Sequence, residues 1–247
     1  MLDIHVRELD LASEGRWSFA DSKLRWHLGG IGMATEFDPF PAYRHDMLVV
    51  KSEARRVTEI CPPIWDIKLL VANRESVGRT NATSSMSWDG HYNDDDEWIK
   101  DPPVGLIIMS GKRTPPHPAV TRHLVAHEYG HHIEYMLEHL AGSKSTSAGT
   151  VVKEYAKLRG LDTSTLHHGD GGTWHNAAAE IFACDFRIVV CHAEPDFWPH
   201  EGVPRPTRLP FPVVDWWDDA VGRLRAERQR LDSIEKTATL DSLTAPE

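Results

Sequence analysis

The segment LVAHEYGHHIEYML, residues 124–137, constrains the fold of this chain more than any other stretch. Its aliphatic residues recur at helical spacing and predict a helix from about Pro118 to His139, with the proline in the first turn. His127 and His131 are four residues apart, so they lie on one face of that helix and can offer their imidazoles to one metal ion. The alternative interpretation is a histidine-rich surface helix that binds no metal.

The sequence HEYGH matches the pattern HExxH, in which two histidines bind zinc and the glutamate takes a proton from the bound water. Glu128 is then the general base, and it carries the proton to the leaving amine. Gly130 leaves room for close backbone packing beside the metal. His132 points about 100° away from His131 and is interpreted as solvent-facing or as a neighbour of the ligands, not as a ligand.

A catalytic zinc usually has three protein ligands and one position for water. In the metzincin pattern HExxHxxGxxH, a glycine and a histidine would occupy the positions of Glu134 and Leu137, so that class is excluded. The other common solution takes a glutamate from a later helix, and the segment NAAAEIFACDF offers Glu180. The alanines at 177–179 would let that helix approach closely, and a carboxylate among apolar neighbours is costly to bury unless it meets a cation.

The segment HEYGHH, followed by AAEIFACDFRIVV, resembles the gluzincin metallopeptidases, and among them the catalytic domain of anthrax lethal factor and its relatives. The resemblance covers two short segments, His127 to His131 and Ala179 to Arg187. It implies that His127, His131 and Glu180 bind one catalytic zinc ion, that Glu128 is the catalytic base, and that the reaction is peptide-bond hydrolysis.

The chain departs from that family at two positions. The family has a tyrosine seven residues before the ligand glutamate, as a donor to the oxyanion, and this chain has Thr173. Because the chemistry needs an N–H or O–H group, His175, His168 and Tyr155 are the alternative donors, and His175 is preferred. One turn after the ligand glutamate, the family has an acid where this chain has Cys184.

The glycine-rich segment HHGDGGTWH, residues 167–175, contains several further metal-ligand types. It could hold a second metal ion, but its glycine content and its position before a helix favour a loop that lines the cleft.

The order of the predicted elements indicates an α+β fold. Helical and strand patterns alternate first, and only helical patterns follow residue 142. Together with this order, the resemblance to gluzincins implies a zincin-like fold with a small mixed sheet and the active-site helix in the N-terminal half, a mainly helical C-terminal half, and a cleft between them. The segment VGLIIMSG, just before the active-site helix, could be the edge strand along which an extended substrate pairs.

The domain boundaries follow from these patterns and from a length of 247 residues, which suits one core. Residues 1–44 are interpreted as an N-terminal extension, and residues 45–247 as the metallopeptidase domain. Within that domain, residues 45–142 form the α+β subdomain, and residues 143–247 form the helical subdomain that carries the third ligand.

Composition limits the partners and the compartment. The 37 acidic against 27 basic residues argue against binding nucleic acid through its phosphates. The three cysteines lie outside any CxxC pattern, and no apolar run reaches membrane-spanning length. The N-terminus has no signal-peptide core. The sequence predicts a protein that is cytoplasmic or released without a Sec signal, acts on a protein or peptide, and binds neither nucleic acid nor membrane.

Two classes of function remain open from the sequence. One is a zinc-dependent endopeptidase of broad or narrow specificity, and the other is a non-catalytic zincin-like module that keeps the metal or the fold for binding. Glu128 favours the enzyme, because a purely structural site has no need of a general base. The absence of the family tyrosine favours the module.

Overall fold

The computed structural model describes residues 2–9, 37–76, 81–87, 90–92, 98–100, 103–143, 149–166, 174–193, 198–200, 202–206 and 211–244. Within these segments the fold is α+β, as predicted: every described strand ends before residue 110, and the segments after residue 143 are helical or irregular. No helix in these segments combines the length and apolar character needed to cross a membrane.

The main sheet contains four strands, which lie side by side in the order β1 (Ile4–Leu9), β3 (Ile67–Ala72), β8 (Val104–Met109) and β5 (Ala82–Ser87). The first three are parallel, and β5 runs antiparallel to β8. The aliphatic runs IKLLVA and VGLIIM of β3 and β8 are buried along almost their whole length, as expected for inner strands of a covered sheet. Two short antiparallel ribbons pair β2 (Phe37–Pro41) with β4 (Arg74–Ser76) and β6 (Gly90–Tyr92) with β7 (Trp98–Lys100).

The described part of the chain forms five α-helices: α1 (Met47–Ile60), α2 (Pro118–Leu140), α3 (Thr150–Arg159), α4 (Ala178–Asp185) and α5 (Phe211–Thr244). The Asp46 carboxylate accepts a hydrogen bond from the Leu48 N–H and caps α1, and Pro118 occupies the first turn of α2. The segment predicted as one helix around Glu180 forms α4 and then a π-helical turn, Phe186–Val190.

Helix α2 occupies the centre of the molecule. It contacts the other four α-helices and the strands β5 and β8. Because neighbours surround it, its polar residues between 127 and 138 are buried together with its apolar ones. Buried polar groups need hydrogen-bond or ionic partners, so the environment of this helix decides what each of them can do.

Two strands differ from the interpretation of the sequence. Strand β1 belongs to the segment interpreted as an N-terminal extension, but it pairs along its whole length with β3, from Ile4 opposite Ile67 to Leu9 opposite Ala72. The segment VGLIIMSG is not an edge strand, because β8 lies between β3 and β5. Among the described strands, the edge on the α2 side is β5. Strand periodicity does not specify which strands become neighbours, since that choice depends on distant parts of the chain.

Candidate metal centre

Helices α2 and α4 bring together the three predicted ligands. The Nε2 atoms of His127 and His131 lie 3.1 Å and 3.5 Å from the same oxygen, Oε2 of Glu180. The two imidazole rings are nearly perpendicular, with centroids 4.9 Å apart. One ligand atom from each residue lies within 4.8 Å of the other two, so this group could hold a metal ion.

The two helices meet at Gly130 and Ala183. A Cβ added to Gly130 would lie only 2.8 Å from the Cα of Ala183 and 3.0 Å from its carbonyl oxygen. The close backbone packing expected at Gly130 is therefore confirmed. Because the backbones touch here, the Glu180 carboxylate reaches the two imidazoles.

The charges at this site favour a cation. Burial would raise the pKa of Glu180, but His131 and His127 lower it strongly. Burial would lower the pKa of His127, but Cys184 and Glu180 raise it to about 10. The pKa of His131 is also raised well above its ordinary value, because Glu180 and Glu134 outweigh burial. The acidic groups that keep these two imidazoles protonated would also stabilise a metal cation in the same place.

Glu128, the predicted general base, is 6% exposed and lies beside the two histidines on α2. Its Oε2 accepts a hydrogen bond from the Ser84 hydroxyl at 2.6 Å, and the same hydroxyl lies 2.9 Å from the Glu128 carbonyl oxygen. Ser84 is in the middle of β5, so the edge strand orients the carboxylate. Nothing in the sequence around Ser84 indicates this contact, which depends on how β5 packs on α2.

The second nitrogen of each candidate ligand also has a neighbour. Nδ1 of His127 lies 3.3 Å from the sulfur of Cys184, and Nδ1 of His131 lies 3.8 Å from Oε2 of Glu134. Both neighbours are fully buried. Neighbours at this nitrogen orient a metal-binding imidazole and fix its tautomer. Asp185, the residue after Cys184, instead accepts a hydrogen bond from Tyr155.

The predicted oxyanion donors have other hydrogen-bond partners or lie outside the described residues. His175 is in an exposed turn, where its Nδ1 donates to the Pro199 carbonyl at 2.8 Å. Tyr155 is buried, and its hydroxyl donates to Asp185 at 2.5 Å. His168 and the other candidate ligands of the segment 167–173 lie outside the described residues, so the second metal site stays a hypothesis.

Tyr135 is an O–H group on α2 that the sequence analysis did not identify as a donor. It lies one turn beyond His131 on α2 and meets the His132 ring edge-on at 5.4 Å. Burial, followed by the charges of Glu134 and Glu128, raises the pKa of its phenol well above the ordinary value. The phenol therefore stays protonated. Its helical spacing from His131 is the signal that could have identified it.

His132 is buried, unlike the solvent-facing alternative considered from the sequence. Its Nε2 donates to the Leu106 carbonyl at 3.2 Å, and a Cβ on Gly105 would lie 2.7 Å from its ring. Burial lowers the pKa of His132 to about 3, so the ring is neutral. It attaches α2 to β8 and does not belong to the ligand group.

The arrangement combines a candidate cation site with an adjacent carboxylate, and Tyr135 adds a protonated phenol one turn along α2. These groups can bind a metal, accept a proton and donate a hydrogen bond to a developing negative charge. No protein-family model, curated protein or solved structure matches this chain. A function is therefore supported by the chemistry and geometry of these residues alone.

Proposed function

We propose that this protein is a zinc-dependent metallopeptidase of the gluzincin type, which hydrolyses peptide bonds in a protein or peptide substrate. The observation that carries the proposal is the convergence of His127, His131 and Glu180, with Glu128 adjacent on the same helix. Two imidazoles and one carboxylate are a ligand set typical of catalytic zinc, and they leave a position for water or substrate.

The protein's own residues account for the proton transfers. Zinc bound by this group supplies a Lewis acid that polarises the scissile carbonyl and the attacking water. Glu128 accepts the proton of that water and gives it to the leaving amine. Ser84 supports this role, because its hydrogen bond restricts the rotation of the Glu128 carboxylate.

We assign the oxyanion donor to Tyr135 in preference to His175. The Tyr135 phenol is one helical turn beyond His131 and keeps its proton, whereas the Nδ1 atom of His175 already donates to a backbone carbonyl. A donor aimed at the developing oxyanion is commonly among the largest contributions to catalysis of this kind.

The substrate is proposed to bind along β5. Of the strands that the structure describes, this one is at the edge of the main sheet on the α2 side, and it carries the serine that contacts Glu128. An extended peptide that adds to such an edge forms main-chain hydrogen bonds and passes beside the metal group.

Metal analysis combined with a cleavage assay tests the proposal. Wild-type protein and Glu128→Gln are loaded with zinc, analysed for metal content, and incubated with casein and a peptide library. We expect one zinc ion per chain in both and a loss of cleavage of at least about 100-fold in the variant. Glu154→Gln, on the exposed side of α3, is the matched control and keeps the wild-type rate.

The same assay separates the two classes of function. If wild type binds one zinc ion but cleaves neither casein nor the library, the peptidase proposal is wrong and a non-catalytic binding module is favoured. Cleavage that persists in Glu128→Gln would remove this residue from the role of general base.

A further inference from the structure

An imidazole that binds a metal through one nitrogen carries its proton on the other, and that N–H needs an acceptor. Nε2 of His127 faces the Glu180 carboxylate at 3.1 Å, so it is the nitrogen that would meet the metal. Nδ1 must then donate. The acceptor at this position decides whether the ring is held in the tautomer that can bind metal.

Cys184 is the group that faces this nitrogen. Its sulfur is 3.3 Å from Nδ1 of His127, and the side chain is fully buried. Cys184 and Glu180 are one turn apart on α4, so a single helical turn contacts both nitrogens of the same ring. No solvent reaches the sulfur to compete for the N–H group.

The His127 ring also packs against Trp174, with ring centroids 6.1 Å apart. Nδ1 of His200 donates to the His175 carbonyl at 2.9 Å. The Trp174 ring stacks on His200 at 5.5 Å and limits its movement.

We propose that Cys184 is a positioning residue of the metal centre, whose sulfur accepts the Nδ1–H of His127 and holds Nε2 towards the metal. This inference rests on the metal site of the proposed function. It gives Cys184 the role of the acid that the gluzincins have at the same position.

The geometry argues against Cys184 as a fourth ligand. Its sulfur lies at Nδ1 of His127, and the ligand group lies at Nε2 on the opposite side of the ring. One imidazole cannot direct both nitrogens at the same ion, so the sulfur acts through His127.

Zinc affinity in Cys184 variants tests this assignment. Cys184→Val keeps most of the side-chain volume but removes the acceptor, and we expect zinc, measured by competition with a chelator, to bind about 10- to 100-fold more weakly. Cys184→Ser and Cys184→Asp retain an acceptor and should recover most of that loss. Cys61→Val, at a buried thiol at the end of α1, is the matched control and should bind zinc like wild type.

The tautomer of His127 provides a second measurement that does not depend on activity. Nitrogen-15 spectra of the zinc-loaded wild type should show His127 protonated only at Nδ1, and Cys184→Val should show a broadened or shifted ring signal. If Cys184→Val does not fold, Cys184→Ala takes its place in both measurements.

Unchanged zinc affinity and an unchanged His127 signal in the variant without an acceptor would overturn the assignment. An equal loss of affinity in Cys61→Val would also overturn it, because the effect would then be general packing. A wild type that binds zinc but cleaves nothing contradicts the proposed function and leaves the role of Cys184 intact. A wild type that binds no zinc contradicts both.

Discussion

At the residue scale, His131 and His132 are adjacent in the chain and differ in their chemistry. His131 faces Glu180 and Glu134, and these carboxylates raise its pKa in spite of burial. His132 is enclosed against the Leu106 carbonyl, and burial lowers its pKa. Because carboxylates face His131 and a backbone carbonyl faces His132, the same residue type is a candidate ligand at one position and a neutral packing residue at the next.

Tyr135→Phe tests the assigned oxyanion donor by removing a single hydroxyl. We expect kcat to fall roughly 10²- to 10³-fold, since the developing charge loses its hydrogen bond. Zinc content and the melting temperature should change little, because the ring still packs on His132. Steady-state cleavage kinetics measure the effect, with His175→Ala as the comparison. Loss of activity in His175→Ala, with full activity in Tyr135→Phe, would give the donor role to His175.

The buried His45 should make the free energy of unfolding depend on pH. It is 1% exposed, its Nδ1 lies 2.8 Å from the Thr121 hydroxyl, and burial together with Lys112 lowers its pKa from 6.5 to about 4. Its full contribution to stability is present above pH 6.5. As the pH falls from 6.5 towards 4, the unfolded chain binds a proton that the folded protein does not bind. The free energy of unfolding then decreases by up to about 1.4 kcal/mol for each pH unit.

Urea unfolding at a series of pH values, with a chelator present throughout, measures this dependence. His45→Gln keeps a polar group near Thr121 but does not titrate, so its stability should fall less steeply with decreasing pH. Parallel curves for the two proteins would contradict the role given to His45.

At the element scale, the crossing of α2 and α4 decides whether the ligands meet. His127 and His131 belong to one helix and are placed by its periodicity alone. Glu180 reaches them only because Gly130 and Ala183 let the two backbones touch. The distance between two helices therefore determines the metal geometry.

Gly130→Ala tests this dependence. Alanine has the higher helix propensity by about 1 kcal/mol, but its Cβ would lie 2.8 Å from the Ala183 backbone and force α2 and α4 apart. We expect a net loss of about 1–3 kcal/mol in the free energy of unfolding, together with weaker zinc binding. Denaturant unfolding and chelator competition measure the two effects.

The matched control is Gly222→Ala on α5. A Cβ at this position meets no atom within 4 Å, so the same substitution should stabilise the protein by up to about 1 kcal/mol. If Gly130→Ala also stabilises the protein and binds zinc normally, the two helices can separate without consequence.

At the scale of the whole molecule, long-range contacts join the ends of the described chain. Arg228 on α5 donates to the carbonyls of Leu2 and Pro63, and so connects the C-terminal helix to β1 and to the turn before β3. The proposed metal ion adds a further connection, between α2 and α4. Both kinds of contact link residues far apart in sequence, which favours unfolding as one unit.

Zinc should therefore raise the stability of the whole protein. At a free concentration 1,000 times the Kd, the expected gain is about 4 kcal/mol, and a chelator should remove it. Glu180→Gln should lose most of this gain, whereas Glu154→Gln on α3 should keep it. Melting temperatures with zinc and with chelator provide the measurement. An equal zinc-dependent shift in wild type and Glu180→Gln would place the stabilising ion elsewhere.

The sequence by itself determined the α+β order of elements, the helix around HEYGH and the three candidate ligands. These features depend on the local spacing of apolar residues and on which side chains can bind a metal, and both can be read from the sequence. The membership of β1 in the main sheet and the edge position of β5 could not be predicted, because strand periodicity does not specify a neighbour.

The contacts of Ser84 with Glu128 and of Cys184 with His127 were decided only by the tertiary structure. Each joins side chains on different elements, and each depends on how those elements pack to within a few ångströms. A pattern of residue types can specify which groups bind a metal. The distances and partners that orient those groups arise only when separate helices and strands come together.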